Sequence, residues 1–281
     1  MENINMTKNG KIKIRELTKD QAVVYAVLAS LAVISVIGFF FIDTKNIKIM
    51  TAFGSFFQDF RKMFLQPQTT LESVPESLYE ILITLGLSFI TTIIGAVIAL
   101  ILGLLGAKNL TNPAAAQIIK KFVAFVRAVP TVLWVLIFAI GAGLGSVAAV
   151  VGMTFHTIGY LIKAFSESFE EIDGGVLEAL KASGANWIQI VFQAIIPSSA
   201  SYIVSWTFVR FEVNFAVAVT MGAAAGAGGI GFDLFMASSF YFNIHRVGYL
   251  TYLILGVALL LELLSLFLKR KLIKSGSSGT L

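Results

Sequence analysis

The feature that most constrains this sequence is a series of apolar stretches, each ~20 residues long, that recurs along the whole chain. A helix of that length crosses the ~30 Å hydrocarbon core of a membrane. Only 13% of the residues are charged, whereas a soluble domain carries about 25%. The stretches also lack the alternation of apolar and polar residues that is typical of transmembrane β-strands. The sequence therefore predicts an all-α integral membrane protein that crosses the membrane several times.

Six transmembrane helices are predicted from these stretches. They cover residues 22–42, 78–105, 122–141, 146–165, 198–221 and 247–268. The tails 1–21 and 269–281 and the connection between the second and third helices are rich in Lys and Arg. An even number of spans places these segments on one side, which the positive-inside rule makes the cytoplasm. The first region, residues 22–77, then holds one helix and an outer segment, and the main membrane domain covers residues 78–268.

The outer segment, residues 43–77, carries Phe side chains at helical spacing beside charged and amide side chains. Such a pattern is typical of a helix that lies along the membrane surface. An interfacial helix is therefore predicted here, and a surface for a partner protein is the second interpretation.

The residues and motifs that the sequence lacks, and the distribution of its basic residues, argue against several function classes. There is no cysteine, which excludes disulfides and cysteine-based metal sites. No G-x-x-x-x-G-K-[ST] phosphate loop occurs, so ATP hydrolysis by this chain is not expected. The net charge of +5 comes from basic residues at helix ends and termini, a distribution that does not favour a nucleic-acid partner. His156 and His245 have no second ligand nearby in sequence, so neither a metal nor a cofactor is expected.

A polar segment between the fourth and fifth predicted helices, residues 166–196, has apolar side chains at a helical period. This pattern predicts an amphipathic helix–turn–helix on the cytoplasmic side. Within it, the run from Glu178 to Gly184 reads EALKASG, a helix with little side-chain bulk that another protein can approach closely. Gly184 is expected to end this helix in the left-handed conformation, and Pro197 to lie in the first turn of the next span.

This run resembles the EAA loop of ABC importer permeases. Glu178, Ala179 and Gly184 match the core of that motif, whereas Leu180 stands where the family usually has a second alanine. Five further motifs resemble the phosphonate-type (PhnE-like) branch of the family. They are Arg127–Thr131, His156–Tyr160, Glu170–Asp173, Arg210–Asn214 and Gly226–Gly231. The resemblance covers residues 75–270.

The resemblance implies a type I ABC importer permease with a MetI-like bundle in the plasma membrane of a prokaryote. Such a chain forms a homodimer in membrane lipid, takes cargo from a substrate-binding protein on the outer side, and docks two ATPase subunits on the cytoplasmic side. Glu178, Ala179 and Gly184 are then expected to couple the chain to the ATPase. The implied cargo is a phosphonate or a related oxyanion such as phosphite, and the chain itself is not expected to be an enzyme.

Polar residues in or near the predicted spans are candidates for the translocation path. They are Arg127, His156, Arg210, Glu212 and Asn214. Charged residues are costly inside a membrane and usually face the bundle interior or a wet cavity. These side chains therefore either line the path of an anion or fix the helices by hydrogen bonds, and both alternatives stay open. Arg127, near the end of its span, also fits a side chain that snorkels to the interface.

The glycine-rich run Gly226–Gly231 formally matches G-x-G-x-x-G. A membrane span precedes it where a dinucleotide site needs a strand, so a glycine-rich turn or re-entrant segment with close backbone packing is expected instead.

Three other functions are weighed against the phosphonate importer. The first is an ABC permease for another small solute, which the EAA loop fits equally well. An ion-coupled secondary transporter is expected to show internal repeats and paired intramembrane acids, whereas no clear repeat is evident and Glu212 is the lone convincing acid in a span. An intramembrane enzyme needs a nucleophile with a base, or a metal cluster, and neither is evident in the sequence.

Overall fold

A computed structural model describes residues 18–41, 48–69 and 73–277, and the regular structure within these ranges is helical. The predicted all-α class is thereby confirmed. The helices are α1 Lys19–Phe41, α2 Ile49–Leu65, α3 Ser73–Gly106, α4 Pro113–Ala128, α5 Thr131–Ala142, α6 Ser146–Glu170, α7 Gly174–Ala182, α8 Trp187–Ala225, α9 Gly229–Ser239 and α10 Ile244–Ser277. Most of the N-terminal tail predicted at 1–21 lies outside the described residues.

The chain divides into two compact units, Met1–Phe57 and Gln58–Leu281. The first unit contains α1, which has no buried residue. Exposed apolar side chains on every face suit a helix that is surrounded by lipid. The helix α2 begins in the first unit and ends in the second, and it lies within the segment for which an interfacial helix is predicted. Residues 43–47 and 70–72 of that segment lie outside the described residues.

The second unit is built around α3, α6 and α8, each of which packs against the other two. Small residues let the backbones approach. A Cβ atom added to Gly95 on α3 would lie 2.5 Å from Thr157 Cγ2 on α6, and one added to Gly103 would lie 3.1 Å from Phe165 Cβ. Membrane helices commonly use small residues in this way, because lipid tails leave no hydrophobic drive for helix association.

Five helices are long and apolar enough to span a membrane, and the bent pair α4 and α5 raises the number to as many as six. The prediction of about six spans is therefore confirmed. In place of the single span expected at 122–141, where Pro130 was expected to cause a kink, the structure has the two helices α4 and α5. The pair meets at an angle of 90°. Val129 is extended, with φ −92° and ψ 123°, because a residue before proline is pushed out of the helical region, and Pro130 has no N–H to continue the helix.

The fifth predicted span also differs from the structure, since α8 begins at Trp187 rather than at residue 198. Pro197 therefore lies inside a continuous helix and does not open a new one. The turn just before it, Val191–Ile195, is π-helical, and the Ile196 N–H bonds to the Val191 carbonyl five residues back. The wider turn accommodates Pro197, which cannot donate a hydrogen bond and whose ring would clash with the preceding turn of an α-helix.

The two C-terminal helices complete the second unit. The left-handed Gly226, with φ +62°, ends α8, and the 11-residue α9 then packs back on α8, α3 and α10. This short helix, about 16 Å long, cannot cross the hydrocarbon core, and it agrees with the turn or re-entrant segment expected at Gly226–Gly231. The last helix, α10, continues to Ser277, so most of the tail predicted at 269–281 is helical.

Candidate functional site: a surface helix and a buried polar cluster

The predicted EAA segment forms the surface helix α7 between α6 and α8. The Asp173 carboxylate caps its first turn by accepting a hydrogen bond from the Gly175 N–H at 2.6 Å. Gly184 follows its last turn with φ +85°. The Ala185 N–H bonds to the Leu180 carbonyl and the Gly184 N–H bonds to the Lys181 carbonyl, both at 3.0 Å. These two bonds form a Schellman motif, so the left-handed Gly184 that was expected is present in the structure.

One side chain of α7, Leu177, is buried and packs into a core formed with α3, α4, α6 and α8. Glu178, Ala179 and Gly184 are exposed on the surface of the protein. Val176 is also exposed, with 48% of its surface accessible. The helix therefore holds to the bundle by Leu177 and presents the matched EAA residues outward, which is the arrangement that a docking helix needs.

Hydrogen bonds fix both ends of this surface helix to the bundle. Before it, Asn109 Nδ2 donates to the Phe169 carbonyl at 2.8 Å, which ties the α3–α4 loop to the end of α6. After it, Trp187 Nε1 donates to the Leu110 carbonyl at 3.0 Å. Asn186 and Gln189 form a capping box at the start of α8. The segments before and after α7 are therefore held to neighbouring parts of the chain by hydrogen bonds.

Deep between α3, α6 and α8 lies a second group of polar side chains, here called the polar cluster: Thr92, Thr157, Arg210 and Asn214. All four are buried. Asn214 Nδ2 donates to Thr92 Oγ1 at 2.8 Å and to Thr157 Oγ1 at 3.0 Å, and Thr157 Oγ1 lies 3.2 Å from Asn214 Oδ1. Arg210 Nε donates to Thr157 Oγ1 at 3.2 Å. The cluster thus joins three helices through hydroxyl and amide groups.

Arg210 is the one charged member of the polar cluster, and it is only 3% exposed. Its guanidinium carbon lies 5.2 Å from the centre of the Tyr160 ring, a cation–π contact. Its Nη2 atom is buried without a hydrogen-bond partner among the described residues. A buried donor without a partner costs about 1–3 kcal/mol, and more when it is charged. Arg210 is therefore a buried cation with one guanidinium nitrogen, Nη2, that donates no hydrogen bond to the described part of the protein.

The other predicted path residues take different positions. His156 is half-buried on α6, one residue before Thr157, and its Nδ1 atom has no hydrogen-bond partner within the described ranges. Glu212 is half-buried on α8. It is two residues from Arg210, a spacing that places two side chains on different faces of a helix. Arg127 is exposed and lines a cavity beside α4 instead of joining the polar cluster.

Two members of the polar cluster are hydroxyl residues that sequence reasoning did not select. Thr92 lies in an apolar helix with Ser88 and Thr91, and its hydroxyl also bonds to the Ser88 carbonyl four residues back. Thr157 stands within the quoted motif His156–Tyr160 but was not a candidate by itself. A hydroxyl group in a membrane helix satisfies itself on its own backbone, so sequence alone gives little sign of a second partner.

Comparison with known proteins gives the family. The model of the "Binding-protein-dependent transport system inner membrane component" family matches residues 99–274, which is more than half of the chain. The chain belongs to this family. It is a multi-pass membrane protein and an ABC importer permease, and the resemblance drawn from the EAA loop and its companion motifs is confirmed.

Three similar proteins are named as permeases of transport systems. The phosphate-import permease protein PhnE of Mycolicibacterium smegmatis is 30% identical over 191 residues, covering 68% of this chain and 36% of that protein. The phosphite transport system permease protein PtxC of Stutzerimonas stutzeri is 29% identical over 188 residues, 66% of this chain and 68% of that protein. The putative cryptic phosphonate transport system permease protein PhnE2 of Escherichia coli is 35% identical over 118 residues, 42% of this chain and 95% of that protein. The chain thus spans little more than a third of the mycobacterial protein.

Solved structures agree on the fold. A chain of the MetNI methionine ABC transporter in an inward-facing conformation aligns with a TM-score of 0.66 and 20% identity, covering 73% of this chain and 99% of that chain. A chain of a bacterial ABC transporter for the import of the acidic polysaccharide alginate aligns with a TM-score of 0.61 and 13% identity, covering 90% of this chain and 96% of that chain. The bundle is therefore MetI-like, as the resemblance implied.

Proposed function

We propose that this chain forms the translocation path of an ATP-driven importer for a phosphonate or a related oxyanion such as phosphite. The observation that carries the proposal is Arg210, a cation that is 3% exposed and keeps an unused donor at Nη2 within the described part of the chain. The printed names of the similar permeases, which include phosphate, phosphite and phosphonate systems, support the same class of cargo.

The chemistry of the polar cluster suits an anion. No carboxylate among the described residues forms an ion pair with Arg210. Its neighbours Thr157 and Asn214 are neutral, so they orient the guanidinium without cancelling its charge. A guanidinium presents a planar set of N–H donors that matches phosphate and phosphonate oxygens. His156 and Glu212, both half-buried, stay candidates for other parts of the path.

The same geometry supports coupling through α7. This helix joins α6 to α8 in the chain, and those two helices carry Thr157 and Asn214 of the polar cluster. Closure of two ATPase subunits would push α7 and change the spacing of α6 and α8 where the cluster lies. Glu178, Ala179 and Gly184 form the exposed contact surface in this proposal, and the separate ATPase supplies the hydrolysis.

The assembly that we propose contains two copies of this chain, two ATPase subunits and a substrate-binding protein on the outer side. Twofold symmetry would place both α7 helices on the same face, where the two ATPase subunits dock. Both ends of the chain then lie in the cytoplasm, as the distribution of Lys and Arg predicts. The host membrane is the plasma membrane of a prokaryote.

The test is cargo-stimulated ATP hydrolysis by the assembled complex in vesicles. Methylphosphonate, phosphite, phosphate and methionine are compared, each with its binding protein. Methionine is included because permeases with methionine names also match, such as the probable D-methionine transport system permease protein MetI of Pasteurella multocida, 29% identical over 160 residues. We expect stimulation by one of the phosphorus oxyanions. Stimulation by methionine alone would remove the oxyanion cargo but keep the importer, and failure to bind any ATPase would overturn the proposed coupling through α7.

A further inference from the structure

A cavity of about 420 Å³ lies where the ends of α3 and α6 meet the side of α4, next to the segment that leads into α7. We call it the basic cavity, because four basic side chains line it against two acidic ones. The basic residues are Lys108, Lys120, Arg127 and Lys163, and the acidic residues are Glu167 and Glu170. The rest of the lining includes the apolar side chains Ile119, Val123 and Ile162.

Both acidic side chains of the basic cavity are already paired. Glu170 Oε1 accepts hydrogen bonds from Lys120 Nζ and from the Lys108 N–H, both at 2.9 Å. Glu167 lies 3.7 Å from Lys163 Nζ. The ammonium group of Lys108 and the guanidinium of Arg127 pair with no carboxylate among the residues that the structure describes. The lining therefore carries two more positive than negative side chains, which favours an anionic ligand.

The apolar residues of α4 indicate that this ligand also has an apolar part. The helix stands at 90° to α5 and carries apolar residues on one face, as do helices that lie along a membrane surface. The half-buried Ile119 and the exposed Ala124 line the cavity beside Lys120, whereas Val123 is only 6% exposed and belongs to the core. A free inorganic anion needs the polar rim alone, whereas an anionic phospholipid needs both a basic rim and an apolar wall. Basic pockets between membrane helices on the cytoplasmic side commonly bind such headgroups.

We infer that the basic cavity binds the headgroup of an anionic phospholipid. Lys108 and Arg127 hold the phosphate, and Ile119 and Ala124 contact the first carbons of an acyl chain. Because Glu170 ends α6 directly before the segment that leads to α7, a lipid in this cavity also restrains the junction through which α7 moves. This role is independent of the cargo and of the polar cluster.

The experiment is native mass spectrometry of the purified full-length chain with added phosphatidylglycerol or phosphatidylcholine. The test variant is Lys108→Gln combined with Arg127→Gln. The control is Lys121→Gln, the loss of one positive charge on α4 at an exposed residue outside the cavity lining, and it is compared directly with the single variant Lys108→Gln. We expect wild type to retain phosphatidylglycerol over phosphatidylcholine, and the double variant to bind it about tenfold more weakly, since each basic residue near a membrane surface contributes to this binding. The control is expected to bind as wild type does.

Equal retention of the two lipids by wild type would overturn the inference, and so would an equal loss in Lys121→Gln. A third overturning result is displacement of phosphatidylglycerol by millimolar inorganic phosphate, because it assigns the cavity to a free oxyanion. If the double variant fails to fold, the single Lys108→Gln variant replaces it. This variant is expected to bind phosphatidylglycerol more weakly and phosphatidylcholine as wild type does. None of these measurements uses the ATPase, so their outcome is separate from that of the importer proposal.

Discussion

Asn214 on α8 donates a hydrogen bond to Thr92 on α3 across 122 residues of sequence, with 2.8 Å between Nδ2 and Oγ1. The same amide bonds to Thr157 on α6, so one fully buried side chain fixes the register of three helices. Away from water, polar groups keep the partners they have, because an unpaired donor or acceptor is costly. The relationship between Asn214 and Thr92 is thus a fixed point of the bundle.

The first prediction concerns this fixed point. Replacing Asn214→Leu removes both bonds and leaves the Thr92 and Thr157 hydroxyls with fewer partners, which we expect to destabilise the bundle by about 1–3 kcal/mol. The measurement is the apparent midpoint of thermal unfolding in nanodiscs. The control is Thr207→Val, since the Thr207 hydroxyl on the same helix bonds only to its own Ile203 carbonyl at 2.7 Å. An unchanged midpoint in Asn214→Leu would show that the hydrogen bonds do not hold the helices.

Most of the membrane spans could be predicted, because their ends coincide with the change from apolar to polar residues in the sequence. The predicted span 146–165 and the observed α6 start at the same residue, Ser146. Gly184 was predictable for a similar reason, because few residues other than glycine tolerate a φ of +85°. The polar cluster was only partly predictable. Arg210 and Asn214 stand out in an apolar helix, whereas Thr92 does not.

The break between α4 and α5 was harder to predict, since apolar residues continue through Pro130 from one helix into the next. Periodicity therefore merges the two helices into one span. The signal that indicates otherwise is the basic character of α4, with Lys120, Lys121 and Arg127, which suits a helix along the surface better than a helix across the membrane. The 90° angle occurs at the extended Val129 before Pro130, and the contacts that α4 and α5 make with α6 are ones that no local pattern records.

The second prediction tests the close approach of α5 and α6. A Cβ atom at Gly152 would lie 2.5 Å from the Val135 backbone nitrogen and 2.6 Å from its Cα. Because backbone atoms cannot rotate away, we expect Gly152→Ala to destabilise the bundle by about 1–3 kcal/mol. The matched control is Gly86→Ala on α3, where nothing lies within 4 Å of the new Cβ. That control is expected to stabilise by about 0.5–1 kcal/mol, because alanine favours a helix over glycine. Equal midpoints of thermal unfolding for the two variants would contradict the packing described.

The third prediction concerns the end of α7. Valine at Gly184 resists a left-handed conformation, which costs about 1–2 kcal/mol for an L residue. We expect Gly184→Val to lose cargo uptake while ATP hydrolysis becomes independent of cargo, because the Schellman turn that fixes the α7 surface is distorted. Gly184→Asn is expected to retain most uptake, since asparagine tolerates this conformation.

Gly174→Ala is the control for the Gly184 variants, because Gly174 begins the same helix without a positive φ and has nothing within 4 Å of a new Cβ. Uptake and hydrolysis are measured in the same vesicles. Normal, cargo-dependent hydrolysis in Gly184→Val would mean that α7 does not couple the permease to its ATPase.

The last prediction separates a path role of Arg210 from a packing role. Methionine is an unbranched apolar side chain, shorter than arginine, with no charge and no N–H donor. Arg210→Met therefore removes a buried cation whose Nη2 has no partner among the described residues. Replacing a buried charge by an apolar side chain of similar volume is often neutral or stabilising. We therefore expect the apparent unfolding midpoint of Arg210→Met to stay the same or to rise, while oxyanion uptake falls by about tenfold or more, as for the loss of a charged hydrogen bond to the cargo. Arg210→Lys keeps the positive charge but lacks the planar set of N–H donors. Its oxyanion uptake is expected to lie between that of wild type and that of Arg210→Met. If Arg210→Met lowers the midpoint and uptake together, the guanidinium serves the packing of α6 and α8 through Thr157, and the anion path lies elsewhere.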